Sequence, residues 1–183
     1  DLVSVLDGPP RPIRWIGRRR IPAHELAQNN NLRPVRISAG ALGNGLPVRD
    51  LLVSRQHRVL VSSKIVGRMF GASEVLIPAI KLTKLPGIHI DESFREIEYF
   101  HILFDQHEII FSENAPTESL FTGPETLKAL SPDARSEILT LFPDVATLDR
   151  VPEAARRIPS GKRQKQLIVR HLKNNKEPLQ GHC

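Results

Sequence analysis

Cysteine is nearly absent from this chain: the one Cys, Cys183, is the last of 183 residues. A single thiol cannot close an internal disulfide or build a thiolate metal cage. Aromatic residues make up 5% of the sequence, and residues 151–183 contain none, so that end offers no stacking platform for bases. No apolar run approaches the roughly 20 residues of a membrane-spanning helix. There is no Gly-x-Ser-x-Gly nucleophile elbow, which argues against classical serine hydrolysis. The Gly-rich stretch 39–47 lacks both the Walker Lys-Ser/Thr ending and the dinucleotide-binding spacing, so nucleotide binding is not expected. No His-x-x-x-His pair with an associated Glu marks a zinc site. Internal repeats and low-complexity tracts are missing as well. The chain opens Asp1-Leu2-Val3 with neither Met nor a basic-then-apolar leader, and this start reads as the interior of a longer polypeptide.

What remains is a chain with 40% hydrophobic residues and 15 prolines, enough apolar material for a real core. Frequent Pro among many Val, Ile and Leu favours short strands and turns over long helices. The net charge of +6 is unevenly placed. Residues 1–150 are balanced, whereas residues 151–183 hold eight Lys and Arg against two acidic residues. A basic tail can meet nucleic acid or an anionic membrane, but a solvated basic helix is the simpler reading.

Along the chain, period-2 alternation predicts strands over 1–7, 13–21, 32–38, 88–90 and 95–104. Gly17 suggests a bulge in the second of these. Asn44-Gly45 is a tight-turn pair. Residues 62–73 read as a loop with one short helical turn, and 74–82 as a strand that bends at Pro78. On 95–104, Ile97, Tyr99, His101 and Leu103 share a face. Asp105-Gln106 is short enough for a hairpin, which makes 107–111 the expected partner of that strand. Near Ser119 the pattern changes to helix formers, at 124–130, 132–141 and 161–176. Pro124 and Pro132 suit first helical turns, and Ser131 suits an N-cap. In the last segment Leu167, Ile168, His171 and Leu172 form an amphipathic stripe. The expected architecture is mainly β over residues 1–122, followed by a short helical, basic C-terminal extension over 123–183.

The stretch at 50–61, Asp-Leu-Leu-Val-Ser-Arg-Gln-His-Arg-Val-Leu-Val, sets two strand-like runs around a polar break holding Ser54 and His57. A hydroxyl and an imidazole at this spacing can serve one pocket. Six further histidines are present: His24, His89, His101, His107, His171 and His182. Their spacing specifies no metal site, and a structural histidine is the default for each taken alone. No cofactor is expected.

Taken together, four blocks resemble the Hint (Hedgehog/intein) domains at the C-terminal end of many bacterial proteins. They are Pro12-Ile-Arg-Trp-Ile-Gly-Arg-Arg-Arg20, Leu32-Arg-Pro-Val-Arg-Ile-Ser-Ala-Gly-Ala-Leu-Gly43, the stretch from Arg49 to Val61, and Tyr99-Phe-His-Ile-Leu-Phe-Asp-Gln-His-Glu-Ile-Ile-Phe111 with Glu118-Ser119. The resemblance covers about residues 1–122. It implies an all-β, horseshoe-like fold that acts on its own upstream polypeptide, with no small-molecule cofactor. In that family an opening Cys or Ser attacks the preceding peptide carbonyl, and an N-to-S or N-to-O acyl shift leads to self-cleavage or protein splicing. The family's Thr-x-x-His motif maps onto Ser54 and His57. There, His57 would activate the scissile amide and Ser54 would position it. A later His maps onto His107. The family's Asp aligns near Phe100 and His101, so His101 is the candidate to stand in for that carboxylate. The opening nucleophile block has no counterpart in the sequence, so no self-cleavage is expected of the chain as it stands. A non-catalytic binding or structural β module is the alternative, with anionic contacts through 151–183. Secretion or cell-surface display would follow from an exported host protein.

Overall fold

The computed structural model describes residues 1–120 and 153–180. The helices expected at 124–130 and 132–141, together with Ser131, His182 and Cys183, fall outside them. The described residues form eleven short strands, β1 (Leu2–Val3), β2 (Arg11–Pro12), β3 (Trp15–Ile21), β4 (Val35–Ile37), β5 (Leu51–Val53), β6 (Arg58–Ser62), β7 (Glu74–Pro78), β8 (Ile88–Ile90), β9 (Ile97–Leu103), β10 (Ile109–Ser112) and β11 (Ala115–Glu118). Four helices accompany them: α1 (Ala23–Gln28), α2 (Lys64–Phe70), α3 (Ala79–Leu82) and α4 (Gly161–Lys173). The mainly β architecture is as the sequence predicts, with helices also inside the β body.

The strands pair antiparallel in four groups: β1–β2, a long β3–β9 ribbon, a three-stranded sheet β5-β4-β8, and a four-stranded sheet β10-β11-β6-β7. The last is the structural centre. Its β6 and β7 are apolar on both faces, with Val59, Leu60, Val61, Val75, Leu76 and Ile77 fully buried. Such runs, without alternation, belong to strands covered on both sides. One face meets the main core with Val66, Phe70, Leu82, Leu167 and Ile168. The other carries Leu60, Leu76 and Ile109 under Leu6, Ala155 and Ile158.

Local chemistry explains the helices. In α2, Ser63 is the N-cap and its Oγ accepts from Val66 N at 3.2 Å, while Gly71 in the left-handed region (φ 64°) ends it. The strand expected over 74–82 ends at Pro78, and the apolar segment that follows turns there directly into α3. Helix α4 buries Gln164, Leu167, Ile168 and His171. Each of the two apolar side chains contributes about 1.5–3 kcal/mol through burial. Leu172, expected on the same stripe, is instead 41% exposed, and Gln164 takes the buried place.

Two further expectations are corrected. The segment after Asp105-Gln106 does not return along β9. That strand pairs with β3 from Trp15↔Leu103 to Ile21↔Ile97, and β10 pairs with β11 instead. The reason is a tight turn at Glu113 and Asn114, both at positive φ (48° and 62°), which closes the β10–β11 hairpin locally. Gly17 is not a bulge either, since the β3–β9 register runs through it unbroken. It is glycine because the Trp15 ring lies over it: a Cβ there would sit 1.9 Å from the indole.

Candidate functional site

Ser54 and His57 end a two-residue turn between β5 and β6, closed by His57 N donating to Ser54 O at 3.2 Å. The pair therefore flanks a turn; neither residue lies on a strand. The turn is held from outside. Ala79 N donates to His57 O (2.9 Å), Ile80 N to Arg55 O (3.1 Å), and the Arg55 guanidinium to Asn30 O (2.7 Å). Among the described residues Ser54 Oγ has no hydrogen-bond partner, which leaves the hydroxyl available.

The His57 ring faces inward. Its Nε2 is sheltered from solvent and has no hydrogen-bond partner among the described residues. Burial holds its pKa below the ordinary 6.5, so the imidazole is neutral at pH 7; the Glu118 carboxylate pulls upward, and His101, Arg58 and His107 push further down. These five side chains thus form one electrostatic group, drawn from the β5–β6 turn, β6, β9, the approach to β10 and the end of β11.

Glu118 is its anchor. Its Oε1 accepts from Arg58 N at 2.8 Å and its Oε2 from Arg58 Nη1 at 2.9 Å. His107 Nε2 lies 3.3 Å from the same Oε2. Burial alone would raise this carboxyl's pKa. The His107 imidazole and then Arg58, through its charge and its hydrogen bonds, outweigh burial and hold it below the ordinary value. The carboxylate is therefore ionised although Glu118 is only 6% exposed.

His107 is likewise buried, and its Nδ1 accepts from Ala155 N at 3.1 Å. His101 pairs with Gly17 across the β3–β9 ribbon, on the strand opposite the Trp15 ring that covers that glycine. Burial, then the charge of Arg19, keeps its pKa low. Asp105 is spent on a bidentate pair with Arg14, at 2.9 and 2.8 Å, and is not part of the group.

The structure thus brings His57, His101 and His107 together and leaves Ser54 at the far end of the turn. Sequence reasoning missed Glu118 and Arg58 as members of the group. A signal was present in Glu118-Ser119, but a carboxylate closing a strand reads as solvent-facing until its neighbours are known. Elsewhere, His24 and His89 are exposed. His171 is buried in α4 with both ring nitrogens bonded, to Ser63 Oγ (3.1 Å) and Lys176 O (2.9 Å). Among the described residues no three His, Cys, Asp or Glu side chains are placed to hold a metal ion.

No curated protein and no solved structure matches the chain. A family model described as Hint domain matches residues 1–124, which contain all five side chains of the group. The chain belongs to the Hint domain family.

Proposed function

We propose that this Hint domain is an autoprocessing unit acting once on a peptide bond of its own polypeptide. In the reaction a Cys or Ser ahead of the block beginning at Asp1 attacks the carbonyl carbon of the peptide bond that precedes it. A C–S or C–O bond forms, the C–N bond breaks, and the departing nitrogen takes up a proton. Water or a second nucleophile then opens the resulting ester or thioester. The difficult step is expulsion of the nitrogen, which leaves readily only as a neutral amine.

The observation that carries the reading is the Nε2 of His57, sheltered and unpartnered among the described residues. An unmade hydrogen bond on a buried polar atom costs about 1–3 kcal/mol. Such an atom is expected where a substrate group completes the bond. The scissile amide nitrogen is the partner assigned to it. Ser54 Oγ, at the other end of the same turn, orients the amide. His101, on the ribbon, is assigned to the nucleophile side. Binding of anionic partners by the basic tail draws less support. Arg156 is paired with Asp7 and Glu74, and Arg157 and Arg163 bond the carbonyls of Phe70 and Met69.

The test is a chain extended upstream to include a Cys or Ser at the first position of the domain. Self-cleavage, seen as two fragments on a gel and located by mass spectrometry, is expected. Its loss in His57→Ala is expected too. Undiminished cleavage in that variant would remove His57 from the mechanism, and its mass products would separate hydrolysis from splicing.

A further inference from the structure

The family match ends at residue 124, so it assigns no role to the C-terminal segment. We infer that the segment completes the site: the Ala155 N–H fixes the orientation and tautomer of His107, which with Arg58 holds Glu118 beside His57. Ala155 and Glu118 are thus positioning residues of the Hint site.

The tautomer follows from donor chemistry. An amide N–H only donates, so the Nδ1 that receives it from Ala155 at 3.1 Å must present a lone pair. A ring whose Nδ1 holds a lone pair carries its proton on Nε2, which is the nitrogen 3.3 Å from Glu118 Oε2. Nδ1 is bonded to the Ala155 amide, and Nε2 faces the Glu118 carboxylate at ion-pair distance. His107 is therefore a strut rather than a base, and the imidazole with a nitrogen to offer is His57. This is the arrangement in which a second-layer partner sets which nitrogen carries the proton.

The Ala155 amide can do this because its surroundings are tied to the core. Leu76 N donates to Arg157 O at 2.9 Å, extending the central sheet onto the segment. Arg156 reaches Asp7 Oδ2 at 2.7 Å and also pairs with Glu74, joining the start of the chain, β7 and the segment. Ala155 and Ile158 pack on Leu60, Leu76 and Ile109. Beyond them α4 is seated in the main core through Leu167 and Ile168. After it, Ser62 N donates to Pro178 O (2.9 Å) and Leu179 N to Leu42 O (2.8 Å). The amide is thus fixed on both sides by the same core that carries the site.

The tautomer stands on this geometry alone; its catalytic meaning rests on the autoprocessing reading. The experiment is long-range proton–nitrogen NMR of the imidazoles in the full, nitrogen-15-labelled chain. Wild type and Ala155→Gly, which keeps the amide proton, are expected to show His107 as the Nε2–H tautomer. Ala155→Pro, which removes that proton, is expected to show a mixture. Glu118→Gln is expected to lower the titration midpoint of His57, because it removes the one charge that pulls that midpoint upward. A wild-type His107 carrying its proton on Nδ1 overturns the inference even if the proline variant fails to fold. A His57 midpoint unmoved by Glu118→Gln removes Glu118 from its role. These readings need no cleavage. An extended chain that keeps the tautomer but does not cleave would overturn the proposed function and leave the strut in place.

Discussion

Two inward-facing histidines in this domain are treated in opposite ways. His171, in α4, accepts or donates at both ring nitrogens, to Ser63 and to the Lys176 carbonyl. It joins a chain of bonds that begins at Val66 N and caps α2, so it ties the C-terminal helix to the core. His57, in the β5–β6 turn, has a sheltered Nε2 with no hydrogen-bond partner among the described residues. Burial lowers the pKa of both. The same physical environment therefore accompanies a fastened side chain in one place and an open valence in the other. Burial of a histidine says little by itself; the census of its bonds separates scaffold from site.

The sharpest test of this contrast compares the two alanine variants. His57→Ala in the upstream-extended chain is expected to slow cleavage by about 10²–10⁴-fold, the usual worth of a proton-transferring side chain, with little loss in denaturant midpoint. His171→Ala should do the reverse, leaving intrinsic cleavage chemistry in place and destabilising the fold by about 2–4 kcal/mol in urea titrations, since it strands Ser63 Oγ and opens a gap beneath α4. Equal losses of stability in the two variants would end the distinction.

Within α4 the comparison narrows to neighbours on one helix. Leu167→Ala is expected to cost about 2–5 kcal/mol, as a fully buried leucine. Leu172→Ala, at a position 41% exposed, should stay within about 0.5 kcal/mol. A large effect at Leu172 would show that this face is covered by another surface.

Acid provides the smallest and most general effect. For both histidines the folded state binds a proton less readily than the unfolded chain, whose imidazoles titrate near 6.5. Their contribution to stability is complete above about pH 6.5 and declines as pH falls from there toward the lower folded-state values. Thermal midpoints should therefore drop between pH 7 and 5, and the drop should shrink in His171→Ala. A steeper drop in that variant would contradict the sign.

Much of this was legible before the structure. The strand pattern of β3 and β9, the shared face through His101 and Leu103, the Asn44-Gly45 turn and the Leu167–Ile168 stripe all follow from periodicity that each segment carries by itself. Ser54 and His57 stood out as a pair for the same local reason. What was not legible required partners distant in sequence. The assignment of 107–111 to β9 failed because a positive-φ turn at Glu113-Asn114 lacks the usual glycine, and β10 turned to β11. Gly17 looked like a bulge because the overlying indole belongs to a side chain two residues away whose direction the pattern does not give. Glu118 looked ordinary because Arg58, His57 and His107 reach it only once β6, β10 and β11 are assembled.

The packing of Trp15 on Gly17 also has an optical meaning. Trp15 is the one tryptophan of the sequence, it is 5% exposed, and it lies on the ribbon whose other strand bears His101. Indole emission depends on polarity and on nearby protonated imidazole. The domain therefore carries a built-in fluorophore on the ribbon of its candidate site, and a label-free emission trace can follow that ribbon.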